Sequence, residues 1–194
     1  LNGLTVLNSV ALARKLVKHE DWIFLNGLTT LTPEVAEALA KHEGELYLDG
    51  LTVLNSVALA RKLAERTVDL HLDGLTTLTP EVAEALAKHE VGLTLSGLTT
   101  LTPEVAEALA KHEGGLSLDG LTKITPEVAE ALAKHEGGLS LVGLTTITPE
   151  AAEAFAKCGG VLGLNGLTTI TPEALKVLRA NPDIRLPSKF DEKP

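Results

Sequence analysis

The chain predicts an α/β solenoid, and three observations in its 194 residues carry that prediction. The tripeptide Gly-Leu-Thr recurs eight times, at Gly3, Gly27, Gly50, Gly74, Gly97, Gly120, Gly143 and Gly166, with spacings of 24, 23, 24, 23, 23, 23 and 23 residues. A fixed period in this range builds a stack of like units rather than a globule around one core. Within each period a strand-like alternation precedes a capped amphipathic segment, so every unit holds both kinds of element. Aromatic residues make up only 3% of the chain, which leaves Leu, Ala, Val and Thr to fill the interior. Small aliphatic side chains suit thin identical layers, where one bulky ring would need a matching gap in the next.

The unit is clearest over residues 116–138, LSLDGLTKITPEVAEALAKHEGG. Leu116, Ser117 and Leu118 alternate with the period of a strand, and Gly120 and Leu121 turn the chain. Thr125 has N-cap chemistry and Pro126 fits the first helical position, where its missing N–H costs nothing. Glu127 then places a carboxylate at the positive end of the helix. Val128, Ala129, Leu132 and Ala133 form an inward stripe, while Glu130 and Lys134 stand outward at i, i+4. Gly137 supplies the exit from the helix. Two copies differ, LNSVALARKLVKHE at 7–20 and LNSVALARKLAERT at 54–67. Each has one extra residue, with Asn8 and Asn55 expected to replace the capping Thr. These variants alternate with ordinary copies, so residues 1–47 and 48–94 read as a duplicated pair.

Leu118, Leu121, Ile124, Thr125, Leu132 and Ala133 fit the pattern LxLxx(C/N/L)xx(I/L)T…xxLA, which recurs in all eight copies. In this the chain resembles leucine-rich repeats, closest to the cysteine-containing and the GALA-type bacterial subclasses. The resemblance implies a curved α/β solenoid that binds other macromolecules and is not an enzyme. One position departs from the pattern: where Asn or Cys is usual this chain has Leu, as at Leu98 and Leu121. The backbone groups of the turn are then left to the Thr that follows.

Curvature follows from spacing as well, since paired strands lie about 4.8 Å apart and packed helices roughly 8–10 Å, so strands line the concave side. A single solenoid is expected over residues 1–186, closed by a last strand at Ile184-Arg185-Leu186, with a polar tail over 187–194. Leu1 enters mid-pattern and the chain has no Met, which predicts a fragment whose upstream portion was removed and whose open first layer allows self-association. No apolar stretch approaches the roughly 20 residues that span a bilayer. The net charge of −9 argues against nucleic acid and anionic membrane as ligands. Cys158 is the only cysteine, so no intrachain disulfide forms.

Function is sought where near-identical copies disagree, because residues that only maintain the stack have no reason to differ. The outward position of Leu-x-Leu runs Phe24, Tyr47, His71, Thr94, Ser117, Ser140, Gly163, Arg185, and the next outward column runs Asn2, Asn26, Asp49, Asp73, Ser96, Asp119, Val142, Asn165. Their first half joins aromatic residues to carboxylates, which suits a basic or amphipathic partner. The plainer reading is rings that only cover strand backbone. Trp22, just before this strand, is read as a packing residue at the first helix exit.

Three further ladders carry a structural reading. His19, His42, His89, His112 and His135 recur in Lys-His-Glu and read as cations beside the negative helix end, at the 8–10 Å helix spacing that rules out a shared metal. The column of Thr5, Thr29, Thr52, Thr76, Thr99, Thr122, Thr145 and Thr168 resembles an ice-binding array, yet sits in a turn where hydroxyls satisfy backbone groups. Arg14, Lys15, Arg61 and Lys62 form a solvated helix face. No cofactor, metal or catalytic set is expected. The sequence therefore points to a protein- or peptide-binding module whose site is Phe24, Tyr47, His71, Asp49 and Asp73. A structural spacer or stalk is the alternative, and ice binding through the Thr ladder a distant one.

Overall fold

The structure is a computed structural model that describes residues 4–19 and 22–190. The elements in chain order are β1 (Val6–Leu7), α1 (Val10–Leu16), β2 (Ile23–Phe24), β3 (Thr30–Leu31), α2 (Pro33–Leu39), β4 (Leu46–Tyr47), α3 (Val57–Ala64), β5 (Leu70–His71), α4 (Pro80–Leu86) and β6 (Leu93–Thr94). They continue with α5 (Pro103–Leu109), β7 (Leu116–Ser117), α6 (Pro126–Leu132), β8 (Leu139–Ser140), α7 (Pro149–Phe155), β9 (Leu162–Gly163), α8 (Pro172–Leu178), β10 (Ile184–Arg185) and a 3₁₀ turn over Ser188–Phe190. This is an α/β solenoid of the leucine-rich type, with an open parallel sheet on one side and short helices on the other. Asn2 and Gly3 at the head of their columns, and residues 191–194 of the expected tail, lie outside the described residues.

Seven-residue helices do not stand alone in water, so each depends on its ends and its neighbours. Thr32, Thr79, Thr102, Thr125, Thr148 and Thr171 are the N-caps, each accepting the N–H three residues on at 3.2–3.4 Å, with Pro immediately following. In the variant copies the cap is Ser9 and Ser56, which accept from Leu12 and Leu59 at 3.2 Å, and not Asn8 or Asn55 as expected. The extra residue is thus the Asn itself, an exposed insertion ahead of an unchanged cap. The inward stripe of α6 is Val128, Ala129, Ala131 and Leu132, stacked on the same positions of α5 and α7. The outward Lys does not pair within its own helix. Lys134 meets Glu107 at 3.3 Å and Lys111 meets Glu84 at 2.6 Å, so these exposed pairs tie one repeat to the one before.

The turn glycines are required by stacking rather than by an unusual φ, since no described glycine has a positive one. A methyl group on Gly120 would run into the carbonyl oxygens of Ser96 and Leu98, and one on Gly143 into those of Asp119 and Leu121. Leu121 is buried behind this turn and its N–H closes it on Leu118 at 3.1 Å. Two ladders satisfy the turn backbone. Thr hydroxyls donate to the carbonyl of the preceding Thr, from Thr52 to Thr29 and from Thr168 to Thr145 at 3.0 Å. The Asn/Asp column does as much: Asp73 accepts the N–H of Ser96 and Asp119 that of Val142, each at 3.0 Å.

The histidine ladder is buried except at its first member, His19, which is exposed as a cation at a helix end would be. His42, His89, His112 and His135 are at most 2% exposed, and Arg66, Cys158 and Asn181 continue their column. The residue after Lys lies past the helix C-cap, where the chain turns under the helix towards the next strand. Its spacing there falls between the strand and helix pitches, and the rings of His89, His112 and His135 stack at 6.2 and 6.1 Å. Burial holds the His112 imidazole below its ordinary pKa, the carbonyls of Ala87 and Gly115 oppose that, and the neighbouring His135 and His89 add to it. At His112 a buried ring that disfavours the extra proton therefore replaces the cation expected beside the helix end. Parallel rings this far apart cannot share one ion, and no group of three or more His, Cys, Asp or Glu among the described residues is placed to hold a metal.

The stack is staggered once. Strands β5 to β10 form one six-stranded parallel sheet, with Leu opposite Leu from Leu70 to Leu162, whereas β2 and β4 form a separate pair. On the other side of the turn β1 pairs with β3, and Val53 bridges to Thr77, with no pairing between Thr30 and Val53. Strand β4 thus stays with the preceding repeat, while α3 moves on to pack against α4 more closely than against α2. A hollow of about 330 Å³ opens between α2 and α3, lined by Leu31, Ala36, Leu54 and Leu59 among others. The inserted Asn55 lies between the turn and α3, which is where the displacement begins. Only the turn is continuous through the stagger, with Thr52 N–H on Thr29 O at 2.8 Å.

Candidate functional site

Parallel pairing of β2 with β4 sets Phe24 opposite Tyr47, and alternation puts both on the outer face of the strands. Their rings stack at 4.5 Å and 21°. Trp22 is one alternation step ahead of Phe24 and shares that face. Its ring lies 6.3 Å from both, meeting Phe24 edge-on at 66° and Tyr47 at 46°. Trp22 is 63% exposed and Phe24 39%, so the cluster forms a surface, and Trp22 is not the packing residue expected.

The next feature is the residue that replaces histidine in the buried column. Arg66 is only 7% exposed, and its guanidinium carbon sits 4.1 Å above the Tyr47 ring. Its Nε lies 3.3 Å from the Glu45 carboxylate and Nη1 4.0 Å from that of Asp49, distances of ion pairing without hydrogen-bond alignment. Burial raises the pKa of Asp49; Arg66 and His71 pull it back and Asp73 adds to the rise. Phe24, Tyr47 and Asp49 therefore belong to one cluster, joined through Arg66.

His71 and Asp73 stand across the strand break, on β5 and just after it. His71 Nδ1 lies 2.9 Å from the Thr94 hydroxyl and 3.9 Å from the Asp73 carboxylate, and Asp73 also holds the Ser96 backbone. Asp73 thus has a structural task that its column shares with Asp119. Beyond His71 the face is a shallow trough of about 480 Å³ over Thr94, Ser117, Ser140 and Gly163, ending at Arg185. Its hydroxyls turn inward: Ser117 and Ser140 donate to Asp119 at 3.0 and 2.6 Å.

Three members of the cluster, Trp22, Glu45 and Arg66, were not among the expected site residues. The signal for them was present. Trp22, Glu45 and Asp69 precede Leu-x-Leu in the first copies, where later copies have Gly92, Gly115 and Gly138. That third outward column disagrees as sharply as the two considered. Arg66 is the same kind of departure inside the helix-end column. A cleft of about 300 Å³ beside the cluster is lined by Trp22, Glu43, Gly44, Glu45, Leu46, Lys62, Glu65 and Arg66.

No protein-family model matches the chain, and no curated protein matches it. Among solved structures, an internalin from Listeria monocytogenes is similar over 96% of this chain and 78% of its own, at 14% identity and a TM-score of 0.28. A likeness of that size carries no argument, and the fold rests on the strand pairing and helix stacking described above.

Proposed function

We propose that the chain is a non-enzymatic module that binds a protein or peptide on its sheet face, with its repeats of the kind found in the cysteine-containing and GALA-type subclasses. The observation that carries this reading is the aromatic cluster of exposed Trp22 and Phe24 against half-buried Tyr47, on a face whose other described positions are mostly small or internally bonded. Exposed clustered aromatics are costly to leave in water and are the side chains that dominate binding energy at interfaces. Asp49 belongs to the site as its acidic rim, and His71 with Asp73 continues that rim across the strand break. A spacer role is the second reading, favoured by the self-bonded trough over Ser117 and Ser140. Selection from a random dodecapeptide display library separates the two. Selected peptides should bind a Phe24→Ser/Tyr47→Ser variant of unchanged circular dichroism at least tenfold more weakly. Failure to select any peptide, or selected peptides that bind the variant equally, would overturn the reading.

A further inference from the structure

We infer that the segment recognised at this patch presents arginine, an inference that rests on the binding role proposed above. The patch already holds one guanidinium. The guanidinium carbon of Arg66 sits over the Tyr47 ring at 4.1 Å, with the Glu45 and Asp49 carboxylates 3.3 and 4.0 Å from its nitrogens, an aromatic face and carboxylates used together. Trp22 repeats that arrangement facing solvent. No ring stacks on its face, since Phe24 meets it at 66° and Tyr47 at 46°, and it lines the same cleft as Glu43, whose carboxylate pairs with no cation among the described residues. Indole is the aromatic face that attracts cations most strongly. Guanidinium stacks on rings, is weakly hydrated and bonds carboxylates in a planar fork, where ammonium does none of these. Charge supports the choice: Glu43, Glu45, Asp49 and Glu65 surround the cluster against Lys62 and Arg66, on a chain of net charge −9.

Trp22 is the only tryptophan, so its fluorescence reports this site alone. The test titrates the full chain with three capped hexapeptides, alternating glycine with arginine, lysine or citrulline, the last an uncharged isostere of arginine. The arginine peptide should shift Trp22 emission saturably. The lysine peptide should bind at least fivefold more weakly and the citrulline peptide not measurably. Binding of fluorescein-labelled arginine peptide, read by anisotropy, should be lost in Trp22→Ser and weakened in Glu43→Gln. Equal binding of arginine and lysine peptides, or none by arginine, would overturn the inference. Display-selected peptides that depend on Phe24 and Tyr47 but lack arginine would overturn it while leaving the binding role standing. An empty selection would remove both.

Discussion

Replacing His112 by Cys should flatten the acid side of the stability profile. His112 is 1% exposed, stacked between two other imidazoles at 6.2 and 6.1 Å, and burial holds its pKa below the ordinary 6.5. A depressed folded pKa means that below 6.5 the unfolded chain binds a proton the folded chain declines. The stability from His112 is therefore full above about pH 6.5 and is lost as pH falls through the folded value. One such group contributes a slope of at most ~1.4 kcal/mol per pH unit, so its share at pH 5.5 is at most ~1.4 kcal/mol. Cysteine is the natural control, because Cys158 fills the same column buried, with its thiol 3.8 Å from the His135 carbonyl. His112→Cys costs about 1–2 kcal/mol at pH 7.5 through the smaller side chain. Urea unfolding followed by circular dichroism at pH 7.5 and 5.5 should show that penalty shrink or reverse in acid. Equal penalties at the two pH values, or an NMR titration placing His112 at or above 6.5 in the folded chain, would refute the reasoning.

Gly143→Ala should destabilise by about 1–3 kcal/mol, because the added methyl meets the Asp119 and Leu121 carbonyls, whereas Gly138→Ala, with nothing within 4 Å, should be neutral within about 0.5 kcal/mol; urea midpoints compare them. Arg66→Ala leaves Glu45 and Asp49 without the cation they share and uncovers Tyr47. With both carboxylates partly solvated the cost is about 1–3 kcal/mol, read as a fall of at least ~3 °C in a thermal melt. Ser56→Ala should cost about 1 kcal/mol through the lost cap and Asn55→Ala less than ~0.5 kcal/mol, and a reversed order by denaturant titration would restore Asn55 as the cap.

Phe24 and Tyr47 were legible on the sheet face because alternation in Leu-x-Leu leaves no choice of face once Ile23 and Leu25 are buried, whereas Trp22, one step earlier in the same alternation, was misread as a packing residue. The helix caps were legible where Thr-Pro marks them and misread where Asn-Ser offers two capping residues in succession. The histidine column was misread for a different reason. Position past a helix C-cap has no fixed period relative to the stripe, so sequence spacing does not say which way His112 points. The pairing of Lys134 with Glu107 was hidden likewise, since partners 27 residues apart meet only once the stacking distance is set.

Local chemistry along the chain was enough to specify the unit: period, strand, cap and helix are all short-range consequences of a few residues each, repeated until stacking buries the leucines. What needed three dimensions was everything set between units. The stagger at Asn55, the burial of Arg66 against Tyr47 and the gathering of Trp22 with Phe24 all depend on how far one layer sits from the next. That distance is settled by packing across the stack, to which residues far apart in the chain contribute together.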